Sequence, residues 1–208
     1  MEEFAQAPVA TCIFLITIAT SLFAFSNENI YGKFMLHPYS VSRGSRIYTI
    51  ITSGLIHRDW MHLLMNMLSY YFFAFPLERT FVAASHWGHI QFGLLYIVGL
   101  ILSDASSILK HKNDFWYNSL GASGAVCAVI FSYILFYPLT MMIILPIPIP
   151  IPALLYGLLF LGYCMYASKY SRDSINHDAH FLGAIVGVVI TIILYPPIIS
   201  HFFTQLTG

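Results

Sequence analysis

The chain has 208 residues, of which 58% are hydrophobic and only 9% charged, and its formal net charge is zero. A soluble domain carries about 25% charged residues, so a water-soluble globule is excluded. With no basic patch to neutralise phosphates, nucleic acid is excluded as a partner. The composition calls for a lipid bilayer as solvent, and the length fits a single domain, residues 1–208.

Ala7 to Asn27 carries no charge and is long enough to cross hydrocarbon, which takes about 20 residues. It is the first predicted span, and Pro8 falls where a first helical turn tolerates proline. The acidic residues Glu2 and Glu3 precede it instead of the basic region of a signal peptide, so no cleaved leader is expected. Glu28 to Arg46 mixes polar residues with Ile30, Tyr31, Phe34, Met35 and Leu36, as suits a connector lying in the interface. A second span is predicted from Ile50 to Leu77, polar in its first half and aromatic in its second, and ended by Pro76, Glu78 and Arg79. Trp87 to Ser103 makes the third, with Asp104 near its far end.

The loop Lys110–Ser119 leads to a fourth span, Gly121 to Tyr137, stopped by Pro138. The alternating prolines of Leu145–Pro152 forbid helix and favour extended polyproline backbone. Ala153–Ser168 is the fifth span, Lys169–Asp178 a charged loop, and Ala179–Ile199 the sixth. The expected fold is therefore all-α with six transmembrane helices. Cys12, Cys127 and Cys164 lie in apolar runs without CxxC spacing and read as packing residues. No metal or cofactor is expected.

Ionisable residues inside spans are costly and mark functional candidates. Three groups qualify. Ser123 stands between Gly121 and Gly124 at the start of an apolar helix, either as a helix cap or as a nucleophile whose oxyanion is held by free backbone N–H groups. His62 and Asn66, one turn apart, share a face; His57 precedes them and, taken alone, reads as an interfacial histidine reaching water. His180, Gly183 and Gly187 form one stripe, whose glycines allow a close crossing with the small residues Gly121, Gly124 and Ala128. Spans two, four and six start from the same membrane face, so Ser123, His180, His62 and Asn66 can meet at one depth. Ser123 then attacks a carbonyl, His180 acts as base, and the Ser123 N–H, His62 and Asn66 hold the oxyanion. Asp178 is expected in the loop, which leaves a dyad.

At Gly121-Ala122-Ser123-Gly124, His57-x4-His62-x3-Asn66 and Ala179-His180-x2-Gly183-x3-Gly187, the chain resembles the rhomboid family of intramembrane serine proteases. Glu78 and the proline-rich link add to the likeness. The resemblance implies a six-helix fold, a water-filled cavity open to one face, and single-span membrane proteins as substrates. It assigns Ser123 as nucleophile, His180 as base, and His62 and Asn66 to the oxyanion, with span five and the Lys169–Asp178 loop as gate and cap. The chain departs from the pattern at Cys127, where an aromatic residue often packs on the catalytic histidine, at Ser45-Arg46 in place of Trp-Arg, and at Ala74 and Val82 in place of glycines.

The main alternative is an inactive relative that binds membrane-protein clients. A transporter is disfavoured because the polar residues gather in one leaflet, and a zinc protease because HExxH is absent. Eight of the nine cations (Lys33, Arg43, Arg46, Arg58, Lys110, Lys112, Lys169 and Arg172) fall on the Ser123 face and only Arg79 on the other. The positive-inside rule would turn that face to the cytoplasm. The family resemblance implies the outer face instead, in the cell (inner) membrane, and that orientation is kept as the expectation.

Overall fold

The structure, a computed structural model, describes residues 2–144, 147–171, 173 and 175–207. Helices Glu2–Gln6 (α1) and Pro8–Phe25 (α2) are followed by the short helices Glu28–Phe34 (α3), Pro38–Val41 (α4) and Thr49–Thr52 (α5). The long helices are Trp60–Ala84 (α6), Gly88–His111 (α7), Ser123–Phe136 (α8), Ala153–Tyr170 (α9) and His177–Leu194 (α10), and Ile198–Thr207 (α11) closes the chain. Between α8 and α9 lies a hairpin of Met141–Ile144 (β1) and Ile147–Pro152 (β2). Among these, α2, α7 and α10 are long and apolar enough to cross a membrane. The chain is a helical membrane protein.

Helix α8 is the central element. It is apolar all round, and a helix of that kind belongs inside a bundle. Every residue from Gly124 to Ser132 is buried. Helices α6, α7 and α10 surround it, while α2 and α9 lie further out. The crossings are tight because small residues face each other. A side chain at Gly183 would strike the carbonyl oxygen of Gly124, and one at Gly187 that of Ala128. A Cβ at Gly99 would lie 2.7 Å from that of Ala128. In lipid, such backbone approach supplies the van der Waals contact that hydrophobicity cannot.

Caps fix the helix starts. Asp59 accepts the His62 N–H (2.8 Å) to open α6, and Asn176 accepts the Ala179 N–H (3.1 Å) to open α10. The Asp59 carboxyl is held below its usual range by the Arg58 guanidinium and by that same His62 N–H. Helix α2 has no cap of its own. Glu78 of α6, fully buried, accepts the Val9 N–H (3.1 Å), the Ala10 N–H (2.7 Å) and a hydrogen bond from His89 Nδ1 (2.5 Å). One carboxylate thus ties three helices together.

Several expectations are corrected. The second span starts at Trp60 and continues through Pro76 to Ala84. Proline removes only one helix donor, and the helix continues past it without a break. Glu78 is therefore inside the helix, where its clasp on α2 requires it. The third helix runs on to His111, which puts Asp104 within it. Tyr195, Pro196 and Pro197 divide the sixth expected span into α10 and α11. The proline-rich stretch is extended, as expected, but pairs with β1 in a short hairpin within a helical fold; Leu145 and Pro146 lie outside the described residues. Pro150 and Pro152 stand opposite Ile143 and Met141. Their two-residue spacing leaves the intervening Ile151 N–H for the ladder, an arrangement open to an edge strand.

Replacing Glu78 with Ala strands one buried and one part-buried backbone donor, the buried one costing on the order of 1–3 kcal/mol. The expected outcome is a clear drop in the thermal midpoint in detergent, and a smaller drop for Glu78→Gln, which keeps one acceptor oxygen.

Candidate active site

Ser123 is the first residue of α8, and the cap position before it is Ala122, which offers no side-chain bond. The capping role considered for Ser123 is therefore not the one it takes. Its hydroxyl instead lies 2.7 Å from His180 Nε2. That contact spans α8 and α10 and follows from their crossing at Gly124/Gly183 and Ala128/Gly187. With no capping side chain, the first-turn N–H groups of α8 stay open to a developing negative charge.

The loop before Ser123 is held from below. Gly121 has φ +118°, a left-handed conformation suited to glycine. A Cβ there would lie 2.7 Å from His62 Cε1 and 2.9 Å from His62 Nε2. Gly121 thus serves the loop and the His62 ring, not the α8–α10 crossing foreseen for it. Its own N–H donates to the Ser53 carbonyl (2.9 Å). At Gly124 a side chain would collide with Ser103 of α7.

Hydrogen bonds assign the tautomers. His62 Nδ1 accepts the Arg58 N–H (3.2 Å), so the neutral ring carries its proton on Nε2, the nitrogen beside Gly121. It is a donor aimed at the serine loop. Asn66 is buried, and its amide nitrogen donates one hydrogen to the His62 carbonyl (3.0 Å), leaving a second hydrogen.

His57 is not an interfacial residue reaching water. It is fully buried. Its Nε2 accepts the Ala122 N–H (3.4 Å) and its Nδ1 then donates to Ser21 Oγ (3.0 Å), whose hydroxyl donates to the Leu55 carbonyl (3.0 Å). The chain Leu55–Ser21–His57–Ala122 pins the peptide just before Ser123 to α2.

Around His180, sequence reading missed two neighbours. Phe160 of α9 lies with its ring 6.3 Å from that of His180 at 25°. It provides an aromatic contact on the imidazole from a different helix, where Cys127 leaves none from α8. His177 sits one turn before His180, ring to ring at 6.2 Å. Asp178 lies in the first turn of α10, not in the loop, and bonds Lys110 Nζ (2.7 Å) and Ser168 Oγ (2.5 Å). Among the described residues no carboxylate is hydrogen-bonded to His180. In the α9–α10 loop the exposed Asp173 carboxyl is drawn down to about 2 by the Ser171 hydroxyl, the Ile175 N–H and His177.

The structure brings Ser123 to His180 and sets His57 and His62 against the loop before Ser123, with Asn66 bonded to His62; Gly183 and Gly187 lie at the α8–α10 crossing. A helix-start serine, an imidazole at hydrogen-bond distance, a second imidazole with a free donor and uncapped amides form a constellation suited to acyl transfer.

Comparison with known proteins bears on the same residues. The Rhomboid domain family matches residues 44–197, which include the whole cluster apart from Ser21. Three similar proteins come from Arabidopsis thaliana. RHOMBOID-like protein 12, mitochondrial, is 28% identical over 177 residues, covering 76% of this chain and 50% of that protein. RHOMBOID-like protein 4 is 34% identical over 86 residues, 41% of this chain and 20% of that protein. Rhomboid-like protein 16, chloroplastic, is 28% identical over 144 residues, 61% and 44%. The chain thus spans half or less of the length of these relatives. By the extent of the domain match and the order of its motifs on α6, α8 and α10, this chain belongs to the rhomboid family.

Proposed function

We propose that the chain is an intramembrane serine endopeptidase that cleaves transmembrane segments of single-span membrane proteins. The observation that carries the reading is the 2.7 Å contact between Ser123 Oγ and His180 Nε2. Helices α2, α6, α7, α8, α9 and α10 are taken as the six spans. At 1.5 Å per residue, the 14 residues of α8 cover about 21 Å, less than the roughly 30 Å of hydrocarbon. A short central helix lets its first residue lie beneath the membrane surface, where a buried peptide bond can be reached.

In this mechanism Ser123 Oγ bonds to the substrate carbonyl carbon as His180 Nε2 takes the hydroxyl proton. The oxyanion receives hydrogen bonds from the Ser123 N–H, from His62 Nε2–H and from the second amide hydrogen of Asn66. His180 returns the proton to the leaving nitrogen as the C–N bond breaks, and water then hydrolyses the acyl-enzyme by the same steps in reverse order. Phe160 keeps the imidazole plane in register, and His57 keeps the serine loop in place. Helix α9 with the loop that joins it to α10 serves as gate and cap.

The outward-facing orientation is retained. Arg43 bonds the Lys112 carbonyl (2.7 Å), Arg46 bonds that of Gly32 (2.8 Å), and Lys110 pairs with Asp178. These cations therefore have structural reasons to be on the Ser123 face. Two of the relatives are named for mitochondria and chloroplasts, so an organelle membrane stands beside the cell membrane for testing by fractionation.

Purified protein in detergent is expected to cleave members of a panel of single-span membrane proteins. Ser123→Ala and His180→Ala each lower that rate by at least about 10³-fold; cleavage surviving in both rejects the dyad. Capture of uncleaved clients, unchanged in Ser123→Ala, favours the client-binding alternative.

His62→Ala and Asn66→Ala are each expected to slow turnover by about 10²-fold, while a fluorophosphonate still labels Ser123 in both. Unaltered rates would remove these side chains from the oxyanion site. For orientation, a C-terminal tag protected from external protease, with the α9–α10 loop cleaved, is the expected pattern; the reverse pattern turns the site to the cytoplasm.

A further inference from the structure

Beside the dyad lies a second group of side chains that proton transfer does not use. One ligand atom from each of Cys164, His177 and His180 falls within 4.8 Å of the others. Cys164 is fully buried and comes from α9; His177 is 5% exposed and, with His180, occupies one face of α10. Linear spacing hides the group, because Cys164 and His177 belong to different helices.

We propose that Cys164, His177 and His180 form a regulatory site for Zn²⁺ that switches off the Ser123–His180 dyad. The inhibitory consequence rests on the protease reading; the metal site itself does not.

An independent observation points to a ligand. His177 Nε2 faces both carboxylate oxygens of Asp173 at 3.1 Å, so Nε2 carries the proton and donates it. The remaining nitrogen, Nδ1, is buried and has no hydrogen-bond partner. A buried lone pair without a donor needs an explanation, and a cation supplies one. A carboxylate on the far nitrogen is the usual outer partner of a metal-bound histidine.

The ligand chemistry selects the metal. One thiolate and two imidazoles suit Zn²⁺ and not the oxygen-seeking Mg²⁺ or Ca²⁺. Zinc bonds of about 2.0–2.3 Å set tetrahedral ligand atoms roughly 3.3–3.8 Å apart, so the three draw in by about 1 Å. Helix α9 lies at the outside of the bundle, and its buried residues, Ala153, Gly157, Cys164 and Ala167, are all small. Binding releases the Cys164 thiol proton to solvent. A cleft of about 150 Å³, lined in part by Lys110, His111, Asp173 and Asn176, reaches His177 and offers a polar entry path.

Coordination silences the base by either ring nitrogen. On Nε2 the ion takes the lone pair that accepts the Ser123 proton. On Nδ1 the ion takes that nitrogen's lone pair, the ring proton shifts to Nε2, and Nε2 has no lone pair left for the Ser123 proton.

The test titrates EDTA-treated protein in detergent with Co²⁺, a spectroscopic stand-in for Zn²⁺. A thiolate-to-cobalt absorption band saturating at one equivalent is expected. The band disappears in Cys164→Ser, and the affinity falls at least tenfold in His177→Ala. No band in the wild type, or a band that persists in Cys164→Ser, overturns the site; the wild-type titration decides alone if a variant does not fold. In a second arm, the ratio of cleavage rates without and with Zn²⁺ is at least ten for the wild type, returns to one with EDTA, and is one throughout for Cys164→Ser. Equal inhibition of Cys164→Ser overturns the regulatory link. If no form cleaves any substrate, the protease reading fails while the cobalt result still judges the metal site.

Discussion

The close approach of α8 and α10 is the constraint on which the remaining structure depends. Two glycines on α10 lie directly over carbonyl oxygens of α8. Once those backbones touch, the first turns of the two helices have no freedom to separate, and Ser123 and His180 come within hydrogen-bond reach. Elsewhere the bundle supports this crossing. Ser103 and Gly99 set α7 against the same α8 residues, Gly124 and Ala128, and Glu78 fastens α2 to α6. The polar chemistry at one end is a consequence of packing along the helices' whole length.

A second layer of support is polar. Ala122, Gly121 and His62 are each fixed by a hydrogen bond to a different segment: His57, the Ser53 carbonyl and the Arg58 N–H. Buried polar groups are costly to leave unpaired, and the Ala122–His57 bond is buried. These bonds settle ring tautomers, and so decide which nitrogens donate. His62 is a donor because Nδ1 is already engaged, and His57 is unavailable to a substrate because both of its nitrogens are used.

Much of this was legible before any coordinates. Ser123, His180, His62 and Asn66 could be brought to one depth by alternating span direction alone, and the glycine spacing foretold the crossing. What escaped reading was contact between residues remote in sequence with no periodic signature. Phe160 on His180, Ser21 on His57 and Cys164 near His177 all depend on the rotation of outer helices, which a hydropathy pattern leaves undetermined. The error at Pro76 had another cause. Proline was read as a terminator, yet in a helix packed on both sides the loss of one donor is outweighed by the contacts that follow it, Glu78 among them. The paired hairpin was missed because a proline every second residue suggests solitary polyproline, when the same period also clears one side of a strand.

That hairpin has a consequence for crowded membranes. Pro150 and Pro152 fall on one parity of β2, so its outward rim lacks amide donors at those positions. An extended segment from a neighbouring molecule would find carbonyls there without the alternating partners that zip strands together. The rim is chemically mute to recruitment, and copies of the protein can collide along it without nucleating a growing sheet.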